Sequence, residues 1–175
     1  MKKSILIIFA LALFFGCTDE NEKKPFSGEG YKPVYISKDK AFIIKAEQPT
    51  ILLNPGKLFL YNNYIFITDK GSGVHIINNT NPASPTKLKF ISIPGVKDVV
   101  VKNGVLLADN ITDLIALDIS DLSNITVKKR IKDVYPLEDQ FYPDGVSGYF
   151  ECVDPDKGYV LRWEKAILEN AKCYK

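Results

Sequence analysis

The chain has 175 residues, 46% hydrophobic and 25% charged, which describes one globular unit and excludes a disordered tail or a bundle of membrane spans. Lys2 and Lys3 account for the whole formal charge of +2: the 21 basic groups left of 23 balance 21 acidic ones, so no electrostatic footprint for nucleic acid or anionic lipid remains. Valine, isoleucine, tyrosine and phenylalanine are plentiful and methionine is scarce, a composition that leans towards strands.

Met1-Lys2-Lys3 is a short positive region, and Ile5–Phe15 is an unbroken apolar run. The run suits a secretory leader and is too short for the ~20 residues that cross a bilayer. It ends in Leu13-Phe14-Phe15-Gly16-Cys17, followed by the charged stretch Thr18–Lys24. This arrangement resembles a bacterial lipoprotein signal over residues 1–16, in which cleavage after Gly16 leaves Cys17 to carry a diacylglycerol. The acidic residues just beyond resemble the surface-export signal of Bacteroidota lipoproteins. The resemblance implies an outer-membrane lipoprotein, periplasmic or surface-exposed, that meets the membrane through its N-terminal lipid. Residues 17–30 carry little to bury and read as a flexible tether before a domain over 31–175.

Tyr31–Ile36 opens the ordered chain, with a strand expected over Pro33–Ser37. Lys40–Lys45 fits a strand or a short helix, because periodicity does not separate them at this length. Gln48-Pro49 and Asn54-Pro55-Gly56 are turn signals that deliver the chain to a pattern written twice, over about 56–95 and 96–135. At a shift of forty residues Asn63 falls on Asn103, Asp69 on Asp109, Val74 on Leu114, Asn78 on Asp118 and Ile91 on Ile131. Each unit predicts four strands: Lys57–Tyr61, Tyr64–Thr68, Val74–Asn78 and Lys87–Ile93, then Lys97–Val101, Val105–Asp109, Leu114–Asp118 and Thr126–Ile131. Asn62-Asn63 and Lys102-Asn103-Gly104 suit hairpin turns that need positive φ. Gly71-Ser72-Gly73 makes the second turn of the first unit, whereas Ile111-Thr112-Asp113 lacks glycine and is expected to turn differently.

The segments Val74–Pro85 and Leu114–Leu122 resemble the closing half of an LVIVD repeat, and the flanks Gly30–Tyr35 and Tyr149–Pro155 resemble those of small Bacteroidota lipoproteins that carry it. The resemblance implies propeller-type blades and no established activity. The expected fold is therefore all-β: tandem four-stranded blade-like repeats, a partial or truncated β-propeller, with a short C-terminal helix over Trp163–Asn170. Two blades do not close a ring, so their apolar end faces are expected to be capped by flanking segments, with association between copies as the alternative.

Asp133–Gly148 is a long loop bearing Tyr135, Phe141 and Tyr142. These rings either cover a sheet end or form a binding surface, and the loop is the first candidate for one. Cys152 and Cys173 suggest a disulfide in an exported chain. His75 is the only histidine, which rules out a catalytic triad or a two-histidine metal site. Asp109, Asp113 and Asp118 do not follow a calcium-loop spacing. No cofactor or metal is called for. The expected function is a non-catalytic binding or scaffold module for a protein or glycan partner. The alternative is a small envelope hydrolase acting through acids such as Asp109 or Asp139.

Overall fold

A computed structural model describes residues 25–175. The leader and Cys17 lie outside the described residues. The described residues form three sheets. In the first repeat β3 (Pro55–Tyr61), β4 (Tyr64–Asp69), β5 (Gly73–Asn78) and β6 (Thr86–Ser92) make an antiparallel meander. The short β2 (Lys45–Glu47) is added outside β6. The second repeat forms the same meander from β7 (Val99–Lys102), β8 (Val105–Asn110), β9 (Asp113–Asp118) and β10 (Thr126–Ile131). All eight expected repeat strands are present, as two consecutive blades of a propeller-like fold.

The blades pack through one face each. Cross-strand pairing puts Phe59, Tyr61, Phe66, Val74 and Ile76 on one side of the first blade. Val99, Val101, Leu106, Ala108 and Leu117 share one side of the second. These side chains meet in a single buried core, where each fully buried isoleucine or leucine contributes about 1.5–3 kcal/mol. Two links stitch its edge: the Gly104 N–H donates to the Tyr61 hydroxyl at 3.1 Å, and Lys57 pairs with Asp98 at 3.1 Å. The opposite faces stay outside that core. Leu58 and Leu60 are 54% and 62% exposed, so flanking segments do not cap the first blade as expected. Only its corner at Asp69 and His75 is closed, where the Asp69 carboxylate accepts the N–H groups of Leu53 at 3.0 Å and Asn54 at 2.8 Å.

Backbone pairing also revises the alignment of the two repeats. Tyr61 pairs Tyr64 around Asn62-Asn63, and Lys102 pairs Val105 around Asn103-Gly104. Asn62 (φ 51°) is thus the counterpart of Asn103 (φ 52°), and through β3–β4 the shift is one residue longer than forty. It returns to forty in β5, because the first repeat turns with Lys70-Gly71-Ser72 and the second with Ile111-Thr112 alone. Asp109 therefore matches Thr68, and Asp69 matches Asn110. The side chains agree. Thr68 Oγ1 accepts the Lys57 N–H at 2.7 Å and Asp109 Oδ1 that of Asp98 at 2.8 Å. Asn110 Nδ2 donates to the Pro94 carbonyl at 2.7 Å, at the place where Asp69 holds Asn54. The turn without glycine keeps the left-handed backbone all the same: Ile111 (φ 59°) takes the place of Gly71 (φ 79°). That conformation costs a β-branched residue about 1–3 kcal/mol, and Ile111 is held there by burial against Gly95.

The third sheet corrects both flanks. β12 (Tyr159–Ala171) runs antiparallel to β1 (Phe26–Ile36), and β11 (Tyr149–Phe150) and β13 (Cys173–Tyr174) complete the order β12-β1-β11-β13. Trp163–Asn170 is therefore strand and not helix, and residues 26–30 belong to the sheet and not to a tether. Each is the other's hydrogen-bonding partner: Gly30 faces Ala166, and Phe26 faces Ala171. Gly30 has no Cβ because one would run into Leu168 and the Tyr149 carbonyl. Pro33 is tolerated in a central strand because β11 ends before reaching it. The bridge between Cys152 and Cys173 forms, with Cα atoms 5.3 Å apart. In Lys40–Lys45, Lys40–Phe42 is turn with Ala41 fully buried, and strand begins only at Lys45.

Candidate functional site

The 133–148 loop begins as the connector between blades does. The Tyr135 N–H donates to the Thr112 carbonyl at 2.9 Å, one position beyond Ile111, the counterpart of the Gly71 carbonyl to which Gly95 donates. No third blade follows. Instead Leu137–Gln140 makes one 3-10 turn and the chain folds back. Its return is fixed at three places: Asp144 pairs with Lys97 at 2.9 Å, Lys175 Nζ donates to the Pro143 carbonyl at 3.1 Å, and Gly148 and Lys175 exchange backbone hydrogen bonds.

Between this loop, the third sheet and the Lys70-Gly71 turn lies a groove of about 210 Å³. Tyr31, Tyr142 and Trp163 line it, with Lys70, Gln140 and Arg162. Phe150 supports two of the rings edge-on, 5.9 Å from Tyr142 and 5.3 Å from Trp163. Arg162 is held by Glu164, which accepts from its Nε and Nη2 at 2.9 and 2.7 Å. Gly71 fits only as glycine, since a Cβ would stand 2.5 Å from the Leu161 carbonyl oxygen. Gln140 is buried, and its Oε1 has no hydrogen-bond partner. An unpaired acceptor of this kind costs about 1–3 kcal/mol unless something donates to it.

The three aromatics expected to act together are separated. Tyr142 lines the groove. Tyr135 lies over a second cavity of about 270 Å³ with Lys57, Asp98, Leu107 and Asp109. Phe141 lines a third cavity, with Val153 and Tyr159. Tyr31, Trp163 and Gln140 were not singled out from sequence. Tyr31 and Trp163 sit on the two strands whose pairing the sequence concealed.

Asp109 and Asp139 are not brought together: Asp139 lines the groove with Asp144, whereas Asp109 lines the second cavity with Asp98. Burial pushes the Asp109 carboxyl above its usual range, although it accepts backbone N–H groups from Lys97 and Asp98. Burial raises the Tyr135 hydroxyl too, with the Asp109 and Asp98 charges adding to it. Asp118 is held well below the usual carboxylate range by the Ser120 hydroxyl and the Lys128 ammonium. Among the described residues no group of three His, Cys, Asp or Glu side chains is placed to hold a metal.

These features define a blade-repeat protein with a disulfide-stapled flanking sheet and an aromatic-lined groove. The LVIVD repeat model matches residues 56–91 and 96–133, so the chain carries two LVIVD repeats. No curated protein and no solved structure matches the chain.

Proposed function

We propose that this chain is a lipid-anchored, non-catalytic binding module of the bacterial cell envelope, held at the outer membrane through Cys17 as in Bacteroidota lipoproteins. The observation that carries the reading is the groove beneath the 133–148 loop, where the exposed Tyr142 and the partly buried Tyr31 and Trp163 surround a fixed opening. Its 210 Å³ is below the ~300–1,000 Å³ of small-molecule sites, so it suits one inserted side chain of a larger protein partner. The Cys152–Cys173 bridge fits an oxidising, exported compartment. A non-catalytic role is favoured because Asp109 and Asp139 line different cavities, and the second acid of each cavity, Asp98 or Asp144, is paired with a lysine.

The test places a photo-crosslinking residue at Val146, on the groove wall, in the full chain within the envelope. One discrete adduct is expected, lost on Tyr142→Ala. Adducts that survive Tyr142→Ala unchanged would overturn the groove as the binding site. Cys17→Ser should move the chain from the membrane to the soluble fraction, and retention on the membrane would remove the anchor.

A further inference from the structure

The two free blade faces match the two buried ones at most of their apolar positions, although the sealed His75 stands where the second blade has Ile115 and the exposed Lys102 where the first has Tyr61. In the corrected register Leu58, Leu60, Ile65, Ile67 and Ile77 of the first blade are the counterparts of Val99, Val101, Leu106, Ala108 and Leu117. The second set is the face by which the second blade docks in the core, whereas the first set lies outside that core. The reverse holds on the second blade. Val100, Leu107, Leu114 and Ala116 are the counterparts of Phe59, Phe66, Val74 and Ile76, the docking face of the first blade, and they too lie outside the core.

We infer that these free faces are the two halves of one interface, and that copies of this chain join head to tail, the first blade of one seated on the second blade of the next. Three observations name a second copy as the occupant. The first is volume. Where the second blade is smaller than its counterpart (Val100 for Phe59, Ala116 for Ile76), the first blade is larger than its own (Leu58 for Val99, Ile67 for Ala108). The totals are thus conserved across the new contact, the condition under which packed cores tolerate substitution. Two copies of the bulkier first-blade face would not be matched in this way.

The second observation is charge. Lys57 and Asp98 are counterparts of opposite sign, and they pair within the chain at 3.1 Å. Repeating the interface between copies brings Asp98 of one to Lys57 of the next, again opposite in sign. The third is the path of the chain. Leu53-Asn54 enters the first blade tied to Asp69 as Pro94 is tied to Asn110, and Tyr135, like Gly95, leaves its blade hydrogen-bonded to a carbonyl of that blade's second turn, one position further along. Both ends are therefore built as interior blades. Head-to-tail contacts close into a ring where the rotation permits, and two, three or four copies would reach the ~4–8 blades at which propellers close. The inference rests on the repeats alone and is independent of the groove.

The test counts copies of the full chain, purified in mild detergent, by native mass spectrometry. Leu60→Asp spoils the first-blade face and Val100→Asp the second, at sites 62% and 43% exposed in the single chain. The wild type should assemble, each variant alone should be monomeric, and an equimolar mixture should form one-to-one pairs, because each variant keeps the face that the other lacks. Recovery in the mixture also shows that both variants fold. A wild type that stays monomeric at micromolar concentration would overturn the inference. So would a variant that pairs with itself, since that would mean a symmetric contact through one face only.

Discussion

Arg130 reaches from the outer strand of the second blade into the gap that separates it from the Ala41–Ile44 turn. Its Nη1 donates to Asn110 Oδ1 at 2.7 Å and to Asp113 Oδ2 at 2.8 Å, and its Nη2 donates to the Phe42 carbonyl at 3.0 Å. The guanidinium carbon also lies 5.6 Å from the centre of the Phe42 ring. The side chains of Arg130 and Asp113 are 19% and 5% exposed, so this is a buried pair and not a surface one. Arg130→Met keeps the stem and removes all three hydrogen bonds. Breaking one side of a buried pair costs about 3–5 kcal/mol. Asp113 keeps the Asp133 N–H at 3.1 Å and the Thr112 hydroxyl at 3.3 Å, so its charge is not stranded and the cost should fall near the lower bound, about 3 kcal/mol. That is a large share of the ~5–15 kcal/mol that holds a domain together. Urea unfolding under non-reducing conditions should show the loss as a lower midpoint at unchanged slope. Combining Arg130→Met with Asp113→Asn should cost less than the sum of the two, because the second change removes the charge that the first leaves unpaired. A loss under about 1 kcal/mol, or strict additivity, would refute the reasoning and reduce the pair to an exposed ion pair in effect.

Reduction of the Cys152–Cys173 bridge, which spans 21 residues of sequence, should lower stability by about 3 kcal/mol. Hydrogen exchange should place the loosening in β11 and β13 first, and unchanged protection there under reductant would contradict it. His75 is sealed against Phe90, with ring centres 4.8 Å apart, and its Nε2 stands 3.6 Å from Asp69 Oδ2. Burial holds its pKa below the ordinary value of 6.5, and Asp69 only partly offsets this. The unfolded chain therefore binds the proton more readily. The stability His75 lends is complete above about pH 6.5 and is lost as pH falls through that value, by at most about 1.4 kcal/mol per pH unit. His75→Phe should flatten the unfolding midpoint between about pH 7 and 5.5, and an equally steep fall in the variant would assign the dependence to another group.

The blades were legible because their cues are local: alternating apolar residues broken by Asn-Asn, Asn-Gly and Gly-Ser-Gly. The exact shift between repeats was not, because Asn62 and Asn63 both satisfy a match to Asn103. Only backbone pairing shows that the extra residue lies in the Lys70–Ser72 turn. The 26–30 end of β1 and the Trp163–Asn170 part of β12 were misread together and for one reason. Residues 17–30 carry little to bury, which suggested a tether, and Trp163–Asn170 was expected as a helix, but a strand's preference is decided by the partner that pairs with it. Here that partner lies more than a hundred residues away. The groove inherited this error, since Tyr31 and Trp163 come from those two strands. Tyr142 was visible in sequence because a long loop displays it. That Tyr135 and Phe141 turn to other cavities depends on where the loop is tied, by Thr112, Lys97 and the last residue of the chain.

β1 lies between β12 and β11 rather than at an edge of its sheet, and it is the first strand after residue 25. A pull on the chain along the axis of this strand would strain its hydrogen bonds to β12 in shear, many together, instead of peeling them apart one at a time. The register runs with two interruptions from Phe26–Ala171 to Ile36–Tyr159. Just past the Phe26 end of that register, Cys173 is bonded to Cys152. The third sheet can therefore act as a mechanical fastening, taking up force from the residue 25 side before it reaches the blades.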